Sequence, residues 1–457
     1  MELRFERALL PGGIARQVVI EVGTDGRIGT VRADAGGEGG PYRPGLALPG
    51  MPNLHSHAFQ RAMAGSAEVA AGAEGSFWGW REVMYRFVGR LGPDDVAAIT
   101  ALAYLEMLEA GYTAVAEFHY LHHDLDGGPY AVPTVLADVV RGAAHATGIR
   151  QLLLPCLYQQ GHFDRRPLGA SQRRFHHTTE AFLELVEVLA AGDSSRARTG
   201  FAIHSLRAVP PEALKAVAAA ARGRAPRPVH IHVAEQAREV DDCVAAYGRR
   251  PVEFLLEGGY LDPHWCLVHA THATAAELRG VATAGAVVGL CPTTEANLGD
   301  GRFPLDEFLA AGGLFGLGSD SHVSIDPREE LRTAEYNLRL WRERRVLCAR
   351  PSVPHAGTAL WHDAVVGGAR ALGYGAAGLA AGAPADVGLL DTGRAEFAGL
   401  TEEAYVDAFV FAPRPAAIAA VWVAGEELVA AGRHRDRAAV EQAYRDSLAR
   451  LAPEAGR

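Results

Sequence analysis

Eight short apolar runs, each followed by a stretch of helical periodicity, fill the middle of this chain and leave few architectures open. The runs are Leu46–Leu54, Tyr112–Phe118, Gln151–Leu157, Thr199–Ile203, Pro228–Val233, Trp265–Ala270, Ala286–Cys291 and Leu314–Gly318. Segments between them, among them Asp94–Ala110, Pro211–Arg222, Ala273–Ala284 and Arg328–Arg345, place apolar residues three and four apart in an Ala-, Leu-, Glu- and Arg-rich background. Pro93 before Asp94-Asp95, and Pro210-Pro211-Glu212, carry helix-start chemistry: proline loses nothing in a first turn, and carboxylates favour a helix N-terminus. Strand then helix, eight times over, predicts an α/β fold of the closed (β/α)8, TIM-barrel type, with its chemistry at the carboxyl ends of the strands. An open α/β sheet is the other architecture with this alternation.

Both ends of the chain read differently. Val18–Val22 and Ile28–Val31 flank Thr24-Asp25-Gly26, a hairpin signal, and Ala385–Leu390 and Ala420–Gly425 are strand-like as well. We expect a small β-sandwich built from both termini. Its N-terminal part would be residues 1–46, the barrel 47–375, and its C-terminal part with a terminal helix 376–457.

Composition narrows the function classes. A net charge of −10 argues against a nucleic-acid partner. No apolar run approaches the roughly 18 residues of a membrane span, and Met1–Arg7 is charged where a secretory signal would be apolar. The five cysteines (Cys156, Cys243, Cys266, Cys291, Cys348) are scattered and never paired as CxxC, which fits a reduced, cytoplasmic protein without a cysteine zinc knuckle. Lys215, inside a predicted helix, is the only lysine.

Polar residues collect where the apolar runs end: His55-Ser56-His57, Glu117-Phe118-His119-Tyr120, His204-Ser205-Leu206-Arg207, His230 to Glu235, His269 with His272, and Ser319-Asp320-Ser321-His322. His55 and His57, two apart on an extended segment, point to one side and can share an ion. A third imidazole and a carboxylate would complete a nitrogen/oxygen site suited to zinc, or to iron or manganese. His232 lies nearer its strand end than His230 and is the expected ligand; His230 reads as a deeper, supporting residue. The adjacent pairs His122-His123 and His176-His177 read as loop residues, Arg339–Arg350 as a solvated helix face, and Trp78 and Trp80 as either a lid or packing. His322 and Asp326 are near Asp320 in sequence and carry no stronger claim.

Leu48-Pro49-Gly50-Met51-Pro52-Asn53-Leu54-His55-Ser56-His57 resembles the first-strand metal motif of the amidohydrolase superfamily, and the resemblance extends to Ser319-Asp320-Ser321 and to Gly382–Val387. Within it the chain most resembles the formimidoylglutamate deiminase family of histidine degradation. The matching stretches are His55–Arg61, Phe77–Glu82, Glu117–Tyr120, His204–Arg207 and His230–Gln236. The resemblance implies one divalent metal, zinc first, held by His55, His57, His232 and Asp320. Binuclear relatives bridge two ions with a carbamylated barrel lysine, and Lys215 is not placed for that.

The implied reaction is hydrolysis of an amidine to release ammonia from N-formimidoyl-L-glutamate. Glu235 would protonate the imine nitrogen, while His269, with Asp320, would accept the proton of water or stabilise the tetrahedral adduct. A dicarboxylate needs two cationic clamps, for which Arg207 and Arg81 are the candidates, with Gln60, Tyr120 and His204 as hydrogen-bonding neighbours. The family also implies a homodimer, a small-molecule substrate and no membrane partner. Two other readings fit the barrel: a deaminase of a purine, pyrimidine or thio-nucleoside, which would want stacking aromatics in place of paired arginines, and a non-enzymatic assembly protein, which would lack ligands.

Overall fold

The computed structural model describes residues 1–36, 40–66, 68, 77–412 and 417–452, with only the backbone at 77 and 78. Its centre is a closed parallel barrel. The strands are Met51–Ser56, Tyr112–His119, Arg150–Leu157, a fourth in two halves at Ala197–Thr199 and Phe201–Ile203, then Val229–Val233, Trp265–His269, Val287–Leu290 and Leu314–Leu317. Neighbours in sequence pair in parallel, and the eighth strand meets the first at Leu317 opposite Asn53, closing the cylinder. Covered on both faces, such strands must be apolar throughout, which is why they read as continuous runs.

Two of those runs are interrupted, both at glycine. Leu46–Leu54 is not one strand. Arg43–Pro49 pairs with Glu2–Leu10 and Val387–Leu390 in a second sheet, and the barrel strand begins only at Met51. The chain crosses at Gly50, pressed so closely on Thr113 that a Cβ there would lie 2.4 Å from its side chain. Gly200 divides the fourth strand, where a Cβ would stand 2.8 Å from the carbonyl oxygen of Pro228.

The second sheet takes strands from both termini. Its order is Arg433–His434, Glu426–Ala430, Ile418–Val423, Val387–Leu390, Arg43–Pro49, Glu2–Leu10, Gly13–Val22 and Ile28–Arg32. The expected hairpin about Asp25-Gly26 is present, with Val19 opposite Arg32 and Ile20 opposite Val31. Phe5 and Trp422, from opposite ends of the chain, pack edge-on at 5.5 Å in this sheet's core.

One buried ion pair joins barrel to sheet. Arg150, at the start of the third barrel strand, donates from Nε and Nη2 to Asp386 at 3.1 and 2.9 Å. Its Nη1 donates to Ser195 O at 2.7 Å, and Asp386 also accepts from Ala424 N at 2.8 Å. Every charged atom is thereby hydrogen-bonded, the condition under which a buried pair is tolerated.

Helices cover the barrel. Ala356–Ala371 lies against its first and eighth strands so closely that a Cβ at Gly367 would sit 1.8 Å from Phe315 O, and only glycine fits. The basic stretch after Glu335 is not the solvated face expected: Arg339 pairs with the fully buried Glu335 at 2.8 Å, Arg342 with Asp306 at 3.0 Å and Arg350 with Asp363 at 2.6 Å, partners that are mostly covered. No helix among the described residues is long and apolar enough to cross a membrane.

Candidate metal centre and active site

The first barrel strand ends at Ser56, and its side-chain alternation sends His55 and His57 to the barrel mouth. Asp320 follows the eighth strand. Its backbone is left-handed, φ +43°, and hydrogen bonds on both sides hold it there: Asp320 N donates to His55 O and His57 N donates to Asp320 O, each at 3.1 Å. His232 arrives from the fifth strand. His232 Nε2 is 3.0 Å from His55 Nε2 and 3.3 Å from His57 Nε2, while Asp320 Oδ1 is 3.4 Å from both His55 and His57.

These separations suit a small cation. Four ligands at about 2.0–2.1 Å in a tetrahedron stand roughly 3.3–3.4 Å apart. Three imidazoles whose Nε2 atoms approach this closely cannot all carry protons there. Two are fixed with the lone pair inward, because His57 Nδ1 donates to Phe118 O at 3.0 Å and His232 Nδ1 to His204 O at 2.9 Å. Burial holds all three imidazoles below the ordinary histidine range, His55 at about 3, which favours the neutral form that a metal would need. Asp320 is held below the carboxylate range: burial opposes this, but hydrogen bonding to His55 and the nearby histidines outweigh it. A nitrogen-rich set with one carboxylate fits zinc.

Ser56, between the two histidines, faces away from the centre and enters a directed chain of hydrogen bonds. Ser56 Oγ donates to Glu117 Oε2 at 2.6 Å, so it must accept from His322 Nε2 at 3.1 Å. His322 Nδ1 then accepts from Ser319 Oγ at 3.1 Å, which in turn accepts from Asn53 Nδ2 at 2.6 Å. Glu117 takes two more donors, Ala58 N at 2.8 Å and Tyr104 OH at 3.1 Å. The chain braces the ends of the first, second and eighth strands against one another.

His269, last in the sixth strand, also has a left-handed backbone, φ +69°. Its Nε2 lies 3.7 Å from Asp320 Oδ2 and 3.9 Å from Glu235 Oε1, and its Nδ1 donates to Glu295 Oε1 at 3.1 Å. Burial works against a charge on this ring, but Glu235, Glu295 and Asp320 outweigh it and push the imidazole up to about 10. Burial raises the Glu235 carboxyl above its usual range, with His269 opposing and Asp320 reinforcing. An imidazole that holds its proton at neutral pH and a carboxyl able to carry one there thus stand side by side.

A pocket opens over this centre. Its lining includes His57, His232, Glu235, His269 and Asp320 together with Gln60, Arg81, Tyr120, His204 and Arg207. Gln60 Nε2 donates to Tyr120 OH at 2.9 Å. The Arg81 guanidinium stands 5.5 Å above the Tyr85 ring, and Arg207 is buried, its charge favoured by Glu239 and Glu235 against the cost of burial.

Residues 46–428 match the Amidohydrolase family. The chain belongs to the amidohydrolase family. This amidohydrolase is 49% identical over 447 residues to formimidoylglutamate deiminase of Pseudomonas aeruginosa, covering 98% of each chain. It is 31% identical to a 5-methylthioadenosine/S-adenosylhomocysteine deaminase of Natronomonas pharaonis, over 76% of this chain and 73% of the other. Among solved structures, an amidohydrolase from Brucella melitensis superposes with a TM-score of 0.92 at 43% identity, covering 98% of this chain and 99% of that one.

The amidohydrolase barrel leaves other sequence candidates outside the site. His230 Nε2 donates to Ala371 O at 3.0 Å in the core. His122 and His177 pack on each other at 4.5 Å, away from the centre. Asp326 caps the helix Pro327–Arg342 by accepting from Arg328 N at 2.9 Å. Trp80 lines the pocket, whereas the Trp78 side chain lies outside the described residues. Sequence reasoning missed Tyr85, Tyr158, Phe175 and Thr294 in the pocket wall, and Glu295 behind His269. Gln172 anchors two of them, donating to Tyr158 OH at 2.8 Å and Tyr85 OH at 3.4 Å. An isolated tyrosine, whether on a helix like Tyr85 or just past a strand like Tyr158, has no spacing signal; Glu295, five residues beyond the end of the seventh strand at Leu290, had a positional one.

Proposed function

We propose that this amidohydrolase hydrolyses N-formimidoyl-L-glutamate to N-formyl-L-glutamate and ammonia, a step of histidine degradation. The observation that carries the reading is the pairing, in one pocket, of a hydrolytic centre with Arg81 and Arg207. The 49% identity to a formimidoylglutamate deiminase over nearly the whole chain supports it.

In this reading His55, His57, His232 and Asp320 hold one zinc ion. Such an ion supplies a Lewis acid, lowering the pKa of water towards about 7. The two arginines clamp the two carboxylates and thereby set the formimidoyl carbon over the centre. Asp320 takes the proton that water releases as its oxygen adds to that carbon, while Glu235 protonates the imine nitrogen and the charged His269 stabilises the tetrahedral adduct. The Glu235 carboxylate then carries the proton of the added hydroxyl to the resulting amine, the C–N bond breaks, ammonia leaves as the formyl carbonyl forms, and the proton held by Asp320 resets Glu235. The neutral carboxyl that burial favours at Glu235 is the form this delivery needs.

All five cysteines are free and buried, which is compatible with a reducing compartment, and we place the enzyme in the cytoplasm, as a homodimer. The test is ammonia release from N-formimidoyl-L-glutamate measured beside S-adenosylhomocysteine, guanine and cytosine. The reading expects turnover of the dicarboxylate; turnover only of a ring substrate contradicts it.

A further inference from the structure

Glu295 stands on the short helix Pro292–Leu298, which follows the seventh strand, and is buried. One of its oxygens, Oε1, accepts from His269 Nδ1 at 3.1 Å and from Cys291 N at 2.9 Å. The backbone N–H cannot turn away, so it fixes the oxygen, and the oxygen in turn fixes the ring. A carboxylate only accepts, so the ring nitrogen it meets must carry the hydrogen. Nε2 is then the nitrogen left facing Glu235 and Asp320. This support matters because His269 sits on two successive left-handed residues, His269 at φ +69° and Ala270 at φ +50°, a costly conformation that persists only where surrounding contacts hold it.

His269, Cys291 and Glu295 also bring donor atoms within 4.8 Å of one another. Glu295 Oε1 is already engaged by two N–H groups, and burial keeps the Cys291 thiol protonated. The trio is therefore not free for a second ion.

We propose that Glu295 is a positioning residue for the reaction, holding His269 through its Nδ1–H so that Nε2 is turned to the reacting centre. The inference rests on the deiminase reading above for the role of His269, but the Nδ1–H hydrogen bond itself can be read without turnover. Glu295→Gln keeps an oxygen for both donors, and Cys291 N–H disfavours the flipped amide. Glu295→Ala removes the acceptor altogether.

The experiment uses zinc-loaded protein labelled with nitrogen-15 at histidine, the ring signals of His269 being those lost in His269→Asn. The wild type and Glu295→Gln should show a slowly exchanging, hydrogen-bonded Nδ1–H, and Glu295→Ala should lose that protection. Glu295→Ala should lower kcat by about 10–100-fold, with KM within about twofold and zinc content unchanged, and Glu295→Gln should recover most of the rate. A Glu295→Ala protein with the wild-type Nδ1–H protection, or with wild-type kcat, overturns the proposal, as does a Glu295→Gln protein as impaired as Glu295→Ala. If the wild type does not turn over the amidine, the function reading fails while the nitrogen spectra still decide the hydrogen bond.

Discussion

His57 and Asp320 meet twice, in the backbone hydrogen bond from His57 N to Asp320 O at 3.1 Å and across the candidate metal centre, where two acceptor atoms, Nε2 and Oδ1, face each other at 3.4 Å. The loop after the first strand and the end of the eighth are one structural unit. Replacing Asp320 by alanine should therefore lose zinc and activity together while the barrel stays folded. Metal analysis of the purified variant by mass spectrometry checks this; a full complement of zinc would mean the fourth ligand lies elsewhere.

Glu235 lies 3.9 Å from His269 Nε2, beside the ligands but not bonded to them. Glu235→Gln should retain zinc and bind substrate with KM nearly unchanged, but lower kcat by about 10²–10⁴-fold through loss of proton delivery. Steady-state kinetics on metal-replete protein decide it, and a near-normal kcat removes Glu235 from the proton path.

Arg207 is buried at the pocket wall, where its charge is favoured by Glu239. Losing a charge-assisted hydrogen bond costs about 1.5–3 kcal/mol. Arg207→Ala should accordingly raise KM for the dicarboxylate by about 10–150-fold. Lysine should not restore it, because a point charge cannot grip a carboxylate through two parallel N–H bonds. An unchanged KM in Arg207→Ala would move the clamp away from this residue.

Arg150 and Asp386 should matter to stability and not to chemistry. Removing one partner strands a buried charge, so Arg150→Ala and Asp386→Ala should each cost about 3–5 kcal/mol of unfolding free energy. The double variant should cost less than the two single losses summed. Urea unfolding curves measure all three, and additive losses would show that the two side chains do not act as a pair.

Legibility in the sequence followed the physics of each element. Barrel strands announce themselves because burial on both faces demands unbroken apolar runs, and His55 and His57 because a period of two puts alternate residues on one side. Where Arg43–Pro49 leaves for the second sheet was hidden, since apolar residues continue through Gly50 and only the close approach to Thr113 forces the turn there. His230 and His232 share a face in sequence, and only depth in the barrel separates a core hydrogen bond to Ala371 from a place at the centre. Glu295 reaches His269 across two strand ends, a relation fixed by packing and carried by no local motif.

One preparation, measured twice, tests metal-dependent deimination most directly. Purified wild-type protein should carry about one zinc per chain and release ammonia from N-formimidoyl-L-glutamate, and chelation should abolish, and zinc restore, that release. Protein that binds no divalent ion, or that turns over the amidine equally well after complete metal removal, would contradict it.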